Sequence, residues 1–125
     1  MNRLLGILTL SLISFSSGAG DQPPEAPAAV LQTLLQATQD NNLEAFESVC
    51  DDVMKQTMTP ELLKEVSDQL AGLLQAGYQT IYMGVLDRIN FKTYFWKLDL
   101  STEGASDVLA ELSLKEGKAV GFFLK

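Results

Sequence analysis

Apolar and polar residues alternate through four consecutive runs at the C-terminal end of the chain, and that period of two is the mark of a half-buried strand. The runs are Tyr78–Arg88, Phe91–Leu100, Ala105–Lys115 and Lys118–Lys125. Lys115-Glu116-Gly117-Lys118 joins the last two as a two-residue hairpin. Val108, Ala110, Leu112 and Leu114 share one face of the third strand, and Tyr94, Trp96, Leu98 and Leu100 share one face of the second. Val120, Phe122 and Leu124 do the same in the fourth. In the first strand Ile81, Met83 and Val85 are expected beside Tyr94 and Trp96. A meander of this kind has one apolar face that needs a cover.

Upstream, the period changes to that of a helix. Val30, Leu31, Leu34, Leu35 and Thr38 set one amphipathic face over about Ala28–Gln39, which Asp40-Asn41-Asn42 ends. A shorter helix is predicted over Leu43–Val49, capped by Asn42 and burying Leu43, Phe46, Val49 and Cys50. Asp51–Met58 reads as a connecting segment, briefly extended. A third helix begins with Thr59 as N-cap and Pro60 in the first turn, and ends at Gly77. Its apolar face holds Leu62, Val66, Leu70, Leu73 and Leu74, and Gly72 inside it suggests a close neighbour. Gly121 inside the last strand suggests a bulge, a bend or a close backbone approach. Helices followed by antiparallel strands make an α+β fold, with three N-terminal helices packed on a curved four-stranded meander.

The first twenty residues stand apart from this pattern. Arg3 precedes an apolar run from Leu4 to Phe15, and Ser17 and Ala19 suit a cleavage site, so residues 1–20 read as a secretory signal peptide. The run is shorter than the roughly 20 residues needed to span a bilayer. Residues 21–27 carry three prolines and read as a linker, leaving 28–125 as one domain. An exported protein, periplasmic or extracellular and without a stable membrane anchor, is expected.

Charge narrows the partners. The 125-residue chain carries 9 basic and 16 acidic residues, net −7, and loss of Arg3 with the leader takes it to −8. Such a balance is a poor match for nucleic acid or an anionic surface. Cys50 is the sole cysteine, so no intrachain disulfide forms, and its spacing from Phe46 suits a small buried apolar residue.

Several stretches resemble a known family. Asn41-Asn42-Leu43-Glu44-Ala45-Phe46, Met58-Thr59-Pro60-Glu61-Leu62-Leu63, Gly77 before a strand, and Glu116-Gly117-Lys118-Ala119-Val120-Gly121-Phe122-Phe123 are similar to a secreted bacterial domain of unknown function in the nuclear transport factor 2-like superfamily. The family often carries a tryptophan where this chain has Val66-Ser67-Asp68. The resemblance implies a cystatin-like cone over about Val30–Lys125, with a cavity between sheet and helices. It also implies sheet-to-sheet dimers. Superfamily members include isomerases, cyclases, carriers and pure dimerisation modules, so the fold leaves the activity open.

The catalytic inventory is thin. There is no histidine, which removes Ser-His-Asp and Cys-His pairings and the usual zinc ligands. No catalytic residue, metal ligand or cofactor motif is assigned. An Asp/Tyr isomerase or cyclase would have to draw on Tyr78, Tyr82, Tyr94, Asp87 and Asp99. The leading expectation is a non-catalytic module that binds a small apolar ligand or an exported protein partner, with Met83, Tyr94, Trp96 and Phe122 as the ligand wall. On the opposite sheet face, Tyr82, Leu86, Phe95, Leu109 and Phe123 lie among charged residues. Apolar residues with a polar rim mark an interface, so Phe95, Leu109 and Phe123 are expected to form a homodimer contact.

Overall fold

The computed structural model describes residues 24–125. The expected leader and the first three linker residues lie outside the described residues. Four helices precede one antiparallel sheet in the order β1-β2-β3-β4. The fold is α+β, as the sequence pattern requires, with one helix more than expected.

Helix α1 spans Glu25–Asp40. It starts three residues before the expected Ala28, because Pro27 falls in the first turn, where a missing N–H leaves no bond unmade. Asn41 ends it in the left-handed conformation at φ 52°. Helix α2 covers Leu43–Glu47, with the Asn42 side chain accepting from the Ala45 N–H at 3.1 Å. The segment read as a connection holds a helix of its own, α3 at Asp52–Thr57. Asp51 caps it, its carboxylate accepting from the Met54 N–H at 2.8 Å. The brief extended piece sits just before α3, where Cys50 bridges Ala119 in parallel.

Helix α4, Pro60–Gln75, starts where Thr59 Oγ1 accepts from the Leu62 N–H at 3.1 Å. Gly77 stops it at φ +113°, with Ser101 Oγ only 3.0 Å from where a Cβ would sit. Its buried stripe is Leu63, Ser67 and Leu74, packed towards α1. Gly72 has no neighbour within 4 Å of a would-be Cβ, so no close packing accounts for it.

The strands are β1 Tyr78–Asp87, β2 Lys92–Leu100, β3 Val108–Lys115 and β4 Lys118–Leu124. Glu116 and Gly117 both take positive φ (52° and 81°), the turn that matches strand twist in a two-residue hairpin. The inner face of β2 and β3 is the expected one: Trp96, Leu98, Ala110 and Leu112 are each 1% exposed or less. With Leu31, Leu34, Leu35 and Phe46 from the helices they form the core.

Two bulges redistribute the rest. Tyr82 pairs with Trp96 and Gly84 with Phe95, so Met83 is an extra residue in β1. Tyr78, Thr80 and Tyr82 consequently share the inner face with Leu100, Leu98 and Trp96, while Ile81 and Met83 lie on the outer face. Only Val85, past the bulge and opposite Tyr94, falls on the expected face, where it stays 45% exposed. In β4, Ala119 pairs with Leu114 and Gly121 with Ser113, leaving Val120 as the extra residue. That bulge turns Ala119 into the core, at 0% exposed. Gly121 adjoins the bulge, and a Cβ there would meet Ser113 at an ordinary 3.6 Å, so the close-approach reading fails.

Candidate functional site

A cavity of about 450 Å³ opens between α3, α4 and the free edge of β4. Each wall follows from local sequence. Leu62, Val66 and Leu70 recur along α4 at intervals of four, which puts them on one side of that helix. Of the stripe beside them, Leu63 also lines the cavity, and Ser67 and Leu74 are packed towards α1. Val53, Met54 and Thr57 line the second wall from α3, and Phe46 with Thr38 closes the floor. Phe122 reaches in from β4 and tilts against Phe46, ring centroids 6.2 Å apart.

The chemistry of this lining is narrow. No carboxylate, amine, guanidinium, phenol or thiol lines the cavity, and its polar side chains are Thr38, Thr57 and Gln69. Both threonine hydroxyls donate back to their own helices, Thr38 Oγ1 to the Leu34 carbonyl at 2.8 Å and Thr57 Oγ1 to the Val53 carbonyl at 3.0 Å. A charged group would enter this space without a counter-charge, at a cost of several kcal/mol. An apolar group would lose nothing there.

All five residues from Val120 to Leu124 border the cavity. A strand face would contribute every second residue, so part of the border is the strand edge. Leu109 and Lys125 exchange both main-chain hydrogen bonds, at 2.7 and 3.0 Å. By the alternation of antiparallel pairs, the main-chain groups of Phe122 and Leu124 point away from β3, towards the mouth of the cavity. Next to them, Val49 and Asp51 already occupy the main-chain groups of Ala119, at 2.7 and 3.0 Å.

Of the four residues expected in a ligand wall, Phe122 alone lines this cavity. Trp96 is 1% exposed and lies between Tyr82 and Tyr94, ring centroids at 5.7 and 6.2 Å; it is core. Tyr94 is half-buried at its side. Met83 is separated from them by the sheet itself and is 62% exposed on the outer face. The α3 wall was missed because Asp51–Met58 reads as a connecting segment, too short to show a helical period. The signal that finds it is Val53, Met54, Thr57 and Met58, paired at a spacing of four behind an Asp N-cap.

The Asp/Tyr set is not brought together. Asp99 is exposed on the outer face opposite Gln79, and Asp87 is exposed at the end of β1. Tyr78 and Tyr82 face inward, and burial pushes both phenols up from their ordinary value, Tyr82 also through the neighbouring Tyr94. Cys50 is buried and its thiol is pushed up to about 11, by burial first and then by the negative charges of Asp51 and Glu47. Such a thiol is a packing residue. Among the described residues no group of three or more Cys, Asp or Glu could hold a metal, and no helix is long and apolar enough to cross a membrane.

On the outer face, Phe95 pairs with Glu111, which pairs with Phe123, so the two rings flank one carboxylate. Leu109 stands one row away beside Lys97. The three residues expected at a dimer contact therefore share a face. Ile81, Met83 and Leu86 join them from β1, each more than 40% exposed.

No protein-family model matches the chain, and no curated protein matches it.

Proposed function

We propose that this is an exported, non-catalytic module of the cystatin-like cone type that binds a small apolar ligand in the cavity between α3, α4 and β4. One observation carries the reading: about 450 Å³ of space, the size of a small-molecule site, whose lining holds no titratable group. An acid–base enzyme needs a positioned proton carrier at its cavity, and the lining offers none. The rim fits ligand entry, since Val53 and Leu62 are exposed at the mouth. Native mass spectrometry of the protein purified from its own source tests this. A retained apolar small molecule is expected, released when the protein is unfolded. A mass equal to the bare chain after gentle extraction from every growth condition tried would oppose it.

The main-chain groups of Phe122 and Leu124 favour one second reading, an apolar peptide segment that adds a strand to β4. Slowed exchange of those two amides on adding an apolar peptide would distinguish it from a carrier.

We further propose that the protein is a homodimer through its outer sheet face. Two features support a second copy as the occupant. The first is charge: residues 24–77 hold nine acidic and two basic residues, whereas 78–125 hold six of each. Two copies therefore repel through their helices and not through their sheets. The second is size. With four strands about 4.8 Å apart and roughly seven residues of about 3.4 Å along each, the face is roughly 19 by 24 Å. Two such faces bury on the order of 900 Å², just under the roughly 1,000 Å² at which stable specific interfaces begin, which fits a weak, reversible dimer. Light scattering at tens of micromolar tests it; a monomer there would refute the dimer.

A further inference from the structure

We infer that the two copies stack their sheets with strand directions reversed, so that the basic end of one outer face lies over the acidic end of the other. This deepens the dimer reading and rests on it. The outer face is polar along its strands. At the hairpin end, Lys115 and Lys118 are a cross-strand pair. They point outward because their neighbours Leu114 and Ala119 are buried. Both are exposed, and among the described residues neither makes an ion pair. At the other end stand Asp99, exposed on β2, and Asp107, just before β3. The apolar band lies between these ends.

Charges inside the band are neutralised locally. Glu111 is held by Lys125 at 2.7 Å, with Lys125 also 5.9 Å above the Phe123 ring, whereas Lys97 comes only to 4.0 Å from the exposed Asp107, a loose contact that leaves that carboxylate's charge at the acidic end. With Glu116 in the turn between the two lysines the hairpin end keeps a smaller positive excess, two lysines against one glutamate, and the net field of the face is set by this end and the acidic one. A two-fold axis lying in the contact plane has two limiting directions. Along the strands, it places lysines over lysines and aspartates over aspartates. Across the strands, it places each basic end over an acidic one, and like charges in register are what interfaces avoid. Glu111 is four residues from both Lys115 and Asp107 on one strand. An axis crossing β3 at Glu111 therefore sets Lys115 over Asp107 of the partner subunit, twice by symmetry. Glu111 itself comes to the axis already paired. Sheets packed face to face keep their strand axes within about 30°, so the reversed register survives the twist.

The test is a charge reversal of the whole face, Lys115→Glu, Lys118→Glu, Asp99→Lys and Asp107→Lys together. This variant keeps its own polarity and is expected to dimerise with a Kd within about threefold of wild type, since exposed pairs are worth little individually. Mixed one to one with wild type, it brings like charges together in the reversed arrangement. Native mass spectrometry should then show heterodimer about fivefold or more below the statistical half, recovering towards it in high salt. Heterodimer above the statistical half would mean strands run parallel and would overturn the inference. Heterodimer at the statistical half would overturn it too, because charge would then not set the orientation. Should the fourfold variant not fold, Lys115→Glu with Lys118→Glu alone serves. Its homodimer weakens about tenfold if the strands are reversed, and an unchanged Kd overturns the inference. A wild-type protein that is monomeric removes the dimer reading itself, which separates that failure from a failure of orientation.

Discussion

Replacing Trp96 with alanine is the sharpest test of the packing described above. The indole is 1% exposed at the centre of the inner face, with Tyr82 and Tyr94 on either side and Ala110 across the strand pair. Removing an aromatic side chain from a packed core costs about 3–5 kcal/mol, the value rising with the cavity that remains. Here the floor is rigid, formed by Leu98, Leu112 and Ala110, each 1% exposed or less. The two tyrosines are only half-buried and can lean in. The loss should therefore fall near 3–4 kcal/mol rather than at the upper limit. With a urea m-value of about 1.5 kcal/mol per M, the midpoint moves down by roughly 2–2.7 M. Unfolding is followed by far-ultraviolet circular dichroism, because the only tryptophan is gone. Trp96→Phe keeps a ring between the tyrosines and should lose about half as much. A loss below about 1 kcal/mol for alanine would mean that Trp96 is not packed as described.

Gly72→Ala should raise stability by up to about 1 kcal/mol in the same assay, since the position is helical, exposed and open beyond 4 Å. A loss would reveal a contact at this site. Alkaline stability should depend on Cys50. Its thiol is pushed up to about 11 in the folded protein, while the unfolded chain titrates near 8.5, so folding is favoured below the lower value and that contribution is lost as pH rises through the higher. Cys50→Ala should lose less stability than wild type between about pH 9 and 11, and equal losses would refute the assignment. Tyr78 and Tyr82 titrate in the same direction in both proteins and cancel in that comparison.

What the sequence made legible, and what it hid, follows from how local each signal is. The four strands lie within a few residues of their expected bounds, and the Thr59-Pro60 start, the Asn41 and Gly77 stops and the Glu116-Gly117 turn are where the residues place them. Each of these depends on one or two residues and their own backbone. A bulge does not. One unpaired residue, Met83 or Val120, moves every later side chain across the sheet. In β1 the apolar set Ile81 and Met83 was the natural choice for the core. Yet Tyr82, with a hydroxyl to keep near water, is the residue that packs on Trp96. Hydrophobicity misleads there because both faces of β1 are apolar, which is itself the feature that suggests a partner. The α3 wall was hidden for a different reason: six residues give a helical period less than two turns in which to repeat.

Ligand binding in the cavity is the central claim, and titration of the folded protein with a neutral fluorescent apolar probe, N-phenyl-1-naphthylamine, tests it most directly. The comparison is with a variant carrying Val66→Trp and Val120→Trp, which intrude from α4 and β4 on opposite sides of the cavity. Wild type should bind one probe per chain, saturably, with a rise in probe fluorescence and an affinity insensitive to salt, because no charge lines the site. The variant, folded by circular dichroism, should bind about tenfold more weakly or not at all, the loss expected when about 1.4 kcal/mol of apolar contact is blocked. Equal binding by both proteins, or none by folded wild type, would contradict the account.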